Sequence, residues 1–475
     1  MNFEAVIGIE IHVEMKTKSK MFSSAPVEFG AEPNTLVNPV DIAFPGTMPV
    51  VNKQAVINAI RVSNALHMSI DNELWFDRKN YFYADLPKGF QITQDKRPIG
   101  RNGYVTIKTE SGEKKIEIER LHMEEDTCKQ LHLSTYSLLD YNRAGTPLVE
   151  IVSRPNIRSG EEAMKYVEQI KSIVQYTDVS DGKMEEGSLR CDVNISLRPI
   201  GSDKFGTKVE IKNLNSLSNV EKAIEFEIIR QQQLLLAGIP VDQETRRFDE
   251  TRKETVLMRK KTDAVDYKYF TEPNITPIRL SEGFIKNAID TCPELASSKK
   301  ERYMNVLSLS EYDADILLQD KDVSIYFDAA TKFKANPKLL ANWIMVDIAA
   351  YLNKNNMSIT ALKLSPEHLS DLVMLIEEGK ISSKQAKEVF AQVVESDESP
   401  IEVANKLGLV QVSDEGAIRE LVLEALNENP QSIEDYKNGK DRAVGFLVGQ
   451  VMKKSHGKAN PAMTSKMIVE ELKKR

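Results

Sequence analysis

Cysteine is scarce: Cys128, Cys191 and Cys292 lie far apart in 475 residues, so neither a disulfide framework nor a C-x-x-C zinc site can be drawn. No stretch approaches the ~18 uncharged apolar residues of a membrane span; the best, Ala341–Leu352, carries Asp347. The opening MNFEAVIGIEIHVEMK has no basic n-region and breaks its apolar run at Glu10, so a secretory signal is not expected and the cytosol is. The nucleotide and hydrolase signatures G-x-x-x-x-G-K-[ST], G-x-G-x-x-G, G-x-S-x-G and H-E-x-x-H are all missing. Gly201–Lys208 comes nearest to the first, with Thr and Lys inverted, and reads as a hairpin turn. Excess positive charge is also missing. The net charge of −8 argues against a surface wholly devoted to nucleic acid.

What is present is a soluble-protein composition, 41% hydrophobic and 28% charged, in a chain too long for one core of ~250–300 residues. The first ~290 residues hold the alternating runs and most turn residues, and from about Ser297 strand signals fade. An α+β chain follows: an antiparallel-sheet domain over 1–292, then all-α domains over 293–406 and 407–475. Tyr104–Thr109 and Lys115–Met123 read as a hairpin. Ser159-x-x-Glu162 and Ser218-x-x-Glu221 read as capping boxes, the second opening a helix that ends before Gly238. Ser365-Pro366 starts a further helix, Asn429-Pro430 interrupts the last helical block, and that block begins near Val412.

Strand parity then sorts the chemistry. In Val6–Met15 the residues Ile7, Ile9, Ile11 and Val13 form one face, and Gly8, Glu10, His12 and Glu14 the other. Alone, this reads equally as an edge strand with a solvated face. Ser188–Arg198 repeats the pattern, setting Arg190, Asp192, Asn194 and Ser196 against an aliphatic face that includes Cys191, a core residue. Thr207–Lys212 repeats it again with Lys208, Glu210 and Lys212. In one shared sheet, Glu10, His12, Asp192 and Glu210 would cluster, with Glu124-Glu125-Asp126 at the end of the hairpin, whose alternation slips around Glu119–Leu121 as a bulge would make it. Carboxylates with one imidazole and nearby cations suit a hard divalent ion beside phosphates; a solvated sheet face is the competing reading. Tyr81–Gln91 is aromatic and turn-rich: either a loop packed on the sheet, or a substrate-lining segment in which Lys88 reaches a phosphate. His67, His122, His132 and His368 have no partners in sequence and take structural roles.

Nine strings together carry a resemblance. They are Ile7-Gly-Ile-Glu-Ile-His12, Asp77-Arg-Lys-Asn-Tyr-Phe-Tyr83, Asp85-Leu-Pro-Lys-Gly-Phe-Gln91, Met123-Glu-Glu-Asp126 and Asp140-Tyr-Asn-Arg-Ala-Gly-Thr-Pro-Leu-Val-Glu150. Gly187-Ser-Leu-Arg-Cys-Asp-Val-Asn194, Val209-Glu-Ile-Lys-Asn-Leu-Asn215, Glu244-Thr-Arg-Arg-Phe-Asp249 and Asp266-Tyr-Lys-Tyr-Phe270 complete the set. The chain resembles the B subunits of the tRNA-dependent amidotransferases, the GatB family. That resemblance implies a glutamine-synthetase-like cradle in which ATP and Mg²⁺ phosphorylate the side-chain carboxylate of Glu-tRNA(Gln) or Asp-tRNA(Asn). Ammonia then displaces phosphate to give the amide, the work of a carbon–nitrogen ligase with glutamine as amide donor. By the same resemblance Glu10, His12, Glu125, Asp192 and Glu210 are metal ligands, with Glu125, His12 and Glu10 catalytic. Lys88, Glu124, Glu150, Arg190 and Tyr81 would contact nucleotide or substrate.

No activated nucleophile for releasing ammonia is visible. The family solves this with a heterotrimer, in which a glutaminase (amidase) chain, GatA, and a small third chain, GatC, join this one. Both are expected partners, with no membrane. Relatives with zinc carry paired cysteines near residues 22–45. Here Phe22-Ser-Ser-Ala25 and Asn38–Gly46 have none, and no zinc is expected. Tyr436–Arg475 holds ten basic and three acidic side chains, a net of +7 that leaves −15 on residues 1–435. With the resemblance this tail reads as tRNA-binding through Lys437, Lys440, Arg442, Lys453, Lys454 and Lys458. The alternative is a non-catalytic tRNA-binding scaffold whose partner performs all the chemistry.

Overall fold

The computed structural model describes residues 2–260, 266–410, 415–437, 440, 442–455 and 459–474; Lys458 and Val412 lie outside them. Two compact units emerge, Met1–Ala296 and Ser297–Arg475.

Nine strands form the main sheet of the first unit: β1 (Phe3–Glu14), β2 (Ser69–Ile70), β3 (Gly100–Thr109), β4 (Gly112–Glu125), β5 (Pro147–Ser153), β6 (Leu189–Pro199), β7 (Val209–Lys212), β8 (Glu244–Asp249) and β9 (Glu254–Lys260). Their order is β9-β8-β7-β6-β1-β5-β4-β3-β2. Neighbours run antiparallel except β7 and β8. A parallel pair requires a long crossover. Helix α3 (Leu217–Leu236) occupies that connection.

β1 is therefore the middle strand, and the edge-strand reading is corrected. One face of the sheet is covered by apolar packing. Ile7, Ile9, Ile11 and Val13 are buried against α1 (Lys53–Ala65), α2 (Gly160–Tyr176) and α3, whose Val56, Ile60, Val167, Ile170, Val220 and Ile224 join the same core. Each such side chain contributes ~1.5–3 kcal/mol on burial, so the core fixes the register and forces the even-numbered residues of β1 onto the other face.

The two capping boxes come out differently. Ser159 caps α2 through Glu162 N, but the Glu162 carboxylate accepts Arg158 N instead of closing the box. α3 is capped by Ser216, two residues earlier than the spacing suggested, because that hydroxyl reaches Asn219 N. Gly238 does follow the helix with a positive φ of 71°.

The second unit is helical throughout its described residues. Ser365 caps a helix over Pro366–Glu377, and one helix ends at Glu428 before another starts at Pro430. Its last helices share a core built on Ile418, Val422, Leu426, Leu447, Val451, Ile468 and Leu472.

Candidate metal and nucleotide site

The register turns strand parity into rows that cross the sheet. Arg190, His12, Glu150 and His122 face one another on β6, β1, β5 and β4. Asp192, Glu10, Val152 and Arg120 form the next row, and Glu14, Leu148 and Glu124 the row beyond. The bulge makes this possible. Val152 opposes Arg120 whereas Ser153 opposes Ile118, so Glu119 is the extra residue in β4. Beyond it Leu121 and Met123 return to the core, and Arg120, His122 and Glu124 join the polar face.

Four side chains converge there. His12 Nε2 lies 3.6 Å from Glu124 Oε1 and 3.5 Å from Glu150 Oε2. His122 Nε2 lies 3.1 Å from Glu150 Oε2 and 3.8 Å from Glu124 Oε2. Burial opposes charge on both imidazoles, yet Glu150 and Glu124 overcome it and push each up to about 9. Burial works against the Glu150 carboxylate too, but the two imidazoles hold it well below the usual range. One atom each from His12, Glu124 and Glu150 fall within 4.8 Å of one another, a donor set of imidazole nitrogen and carboxylate oxygen that fits a divalent cation.

Two flanking groups frame this centre. Glu10 accepts Asn194 Nδ2 at 2.9 Å, and burial, with Glu150 and Asp192 adding, raises its carboxyl. Asp192 and Glu210 share Lys212 Nζ at 2.5 and 3.2 Å, and Thr245 donates to Glu210 at 2.9 Å. On the other side Arg190 Nη2 donates to Asp126 Oδ2 at 2.6 Å; Glu14 beside it is pushed up to about 8 by burial and by Asp126. A cavity of about 710 Å³ runs past His12, Arg190, Asp192, Lys212, Asn213 and Asn215, a volume suited to a ligand.

The structure thus brings His12, Glu124 and Glu150 together and sets Glu10, Asp192 and Glu210 just beyond. Glu125 is apart: one residue past Glu124, it takes the opposite parity, accepts Lys88 Nζ and accepts Ile92 N at 3.0 Å. Tyr81 reaches the same strand end, donating to Gln91 Oε1 at 3.3 Å, while Gln91 Nε2 donates to the Glu125 carbonyl at 2.7 Å. His122, assigned a structural role from sequence, belongs to the central cluster. The signal was present, since counting parity onward from the bulge puts it in the row of His12.

In the tail, Lys440 pairs with Asp435 at 3.0 Å, and Lys454 with Glu424 and Glu428 at 3.0 and 2.8 Å; Lys437 also has a partner. Arg442 and Lys453 are exposed.

Comparison with known proteins follows the same division. A family model described as the GatB/GatE catalytic domain matches residues 5–286, and one described as the GatB domain matches 325–472. The sheet and its polar face thus lie within a catalytic domain of the GatB/GatE class. Relatives similar over 100% of both chains narrow the class. They are the aspartyl/glutamyl-tRNA(Asn/Gln) amidotransferase B subunits of Geobacillus thermodenitrificans (53% identical), Macrococcus caseolyticus (54%) and Staphylococcus carnosus (53%). The chain belongs to the GatB family, the B subunits of these amidotransferases.

Proposed function

We propose that this chain is the component that activates and amidates misacylated tRNA, converting Glu-tRNA(Gln) and Asp-tRNA(Asn) to Gln-tRNA(Gln) and Asn-tRNA(Asn). The observation that carries the reading is the convergence of His12, Glu124 and Glu150 on the polar face of a catalytic-domain sheet. Two carboxylates brought so close among buried neighbours favour a cation between them, and a scaffold has no need of that arrangement.

In the reaction the side-chain carboxylate of the esterified residue attacks the γ-phosphorus of ATP, and ADP leaves. Ammonia then attacks the acyl carbon, phosphate leaves, and a proton is lost. A divalent ion, Mg²⁺ by preference, would neutralise charge on the phosphoryl group as it transfers. The side chains of the site hold that charge balance in place. Glu150 and Glu124 accept from both imidazoles, Lys212 keeps Asp192 and Glu210 ionised, and Arg190 anchors Asp126 below Glu14. Lys88 and Glu125 neutralise each other at the end of β4, so Glu125 can meet a ligand only when Lys88 lets go.

Ammonia comes, in this reading, from a glutaminase chain in a heterotrimer with a small third chain, all in the cytosol. No described helix is long and apolar enough to cross a membrane. The test is an amidation assay of the assembled complex with both misacylated tRNAs, glutamine, and ATP present or withheld. Amidation only with ATP and Mg²⁺ supports the reading, and product without ATP rejects it.

A further inference from the structure

Arg120 is the first residue of β4 after the bulge and stands on the polar face, in the row of Glu10 and Asp192. Among the described residues it has no hydrogen-bond or ion-pair partner, and its Nε is buried. Directly opposite, on β3, is Arg101. Like charges facing each other across a sheet are destabilising, and a desolvated cation ordinarily finds an anion. Arg101 has settled one of its own donors on the Lys96 carbonyl at 2.6 Å; Arg120 has settled none.

The surroundings indicate which anion. Along β4, Arg120, His122 and Glu124 succeed one another at roughly 6.8 Å per two residues, so the guanidinium lies within a polyphosphate's length of His12, Glu124 and Glu150. Tyr269 is close as well. Burial first, then Asp95 and Glu150, raise its phenol while Arg120 opposes them. Tyr81, Tyr267 and Tyr269 form a chain of edge-on rings, with centroids 5.9 and 6.1 Å apart, that reaches from the end of β4 to this point. A guanidinium fork beside an aromatic wall and a metal-type cluster matches a phosphate with its nucleotide.

We propose that Arg120 is a nucleotide-binding residue that takes a phosphate of ATP in a forked hydrogen bond. The proposal rests on the reading that ATP is a substrate of this chain. In the assembled complex, Arg120→Gln raises the KM for ATP about tenfold or more, since a charge-assisted hydrogen bond of ~1.5–3 kcal/mol is lost. At saturating ATP its kcat stays near wild type, and its affinity for misacylated tRNA is unchanged. Arg120→Lys, which keeps the charge and loses the fork, falls between the two and covers the case in which Arg120→Gln does not fold. An unchanged KM for ATP in either folded variant overturns the proposal. So does loss of tRNA affinity with ATP affinity intact, which would give the guanidinium to an RNA phosphodiester. If the wild-type complex itself amidates without ATP, the underlying reading has failed, and the two failures are told apart.

Discussion

At the scale of single residues, the site is a problem in charge. Glu124 and Glu150 are held close by His12 and His122, whose imidazoles are pushed up to about 9, and Glu14 is pushed up to about 8. Such groups keep protons in the folded protein that the unfolded chain releases near pH ~6.5 for histidine and ~4.3 for glutamate. The imidazoles' contribution to stability is complete below ~6.5 and is lost as pH rises through about 9; the raised carboxyl of Glu14 erodes stability from ~4.3 to about 8. Glu150 and Asp126, held low, have finished titrating below this window. The metal-free protein should therefore lose several degrees of Tm between pH 6.5 and 9, and His122→Gln should flatten that slope. Mg²⁺ should raise Tm more at pH 9 than at 6.5, because a protonated imidazole cannot coordinate. A flat profile with the native histidines would count against the cluster.

A second residue-scale case is the stretch where relatives with zinc carry cysteines. Here buried Lys20 Nζ donates to buried Asp41 at 3.0 Å, and Asp41 also receives Ser23 Oγ at 2.7 Å and Asn38 N at 2.8 Å. Burial lowers the Lys20 pKa, with Asp41 opposing. Removing one partner of such a pair leaves the other charge stranded, so Asp41→Ala should cost ~3–5 kcal/mol in urea unfolding, and Lys20→Met with Asp41→Ala should recover part of it. Equal losses in the single and double variants would show that the pair does not clamp this segment.

At the scale of elements, one inserted residue decides which side chains meet. Strand parity made Glu10, His12, Asp192 and Glu210 legible, because β1, β6 and β7 alternate without interruption and the core holds their register. β4 resisted the same reading. Its alternation breaks at Glu119, and the residues after the break change sides. The slip was visible in sequence, but its consequence was not, since a bulge can be placed only once the partner strand is known. Hence His122 and Arg120 went unassigned, and Glu125 was grouped with residues on the face opposite its own. The central place of β1 was equally hidden, because hydrophobic alternation does not distinguish an edge strand from a middle strand whose second face carries a site. Deleting Glu119 should restore unbroken alternation and drive Leu121 and Met123, or their partners upstream, out of the core. The expected cost is ~3–6 kcal/mol for two apolar side chains, together with loss of Mg²⁺-induced stabilisation. A variant that unfolds at the wild-type urea midpoint and still responds to Mg²⁺ would contradict the role given to the bulge.

At the scale of the whole molecule, the acidic average conceals two regions of opposite charge. Residues 1–435 carry −15 and the tail +7, so the −8 that argued against nucleic acid is a sum over unlike parts. The tail's lysines are not equivalent. Lys440 and Lys454 are engaged with Asp435, Glu424 and Glu428, whereas Arg442 and Lys453 stand exposed. Charge reversal at Arg442 and Lys453 should weaken tRNA binding several-fold and reduce its salt dependence by about one counterion per contact, while Lys440→Ala should matter less. Filter binding across a salt series distinguishes these outcomes, and equal effects at all three positions would remove the distinction.

The central claim is that the polar face of this sheet performs ATP chemistry on misacylated tRNA. Its most direct test is ATP hydrolysis by the assembled complex carrying Glu150→Gln, measured with saturating misacylated tRNA and Mg²⁺. The account predicts that stimulated hydrolysis falls at least about a hundredfold, the scale of losing charge stabilisation at the reacting group, while the partner's hydrolysis of glutamine persists. Stimulated turnover at the wild-type rate would contradict it.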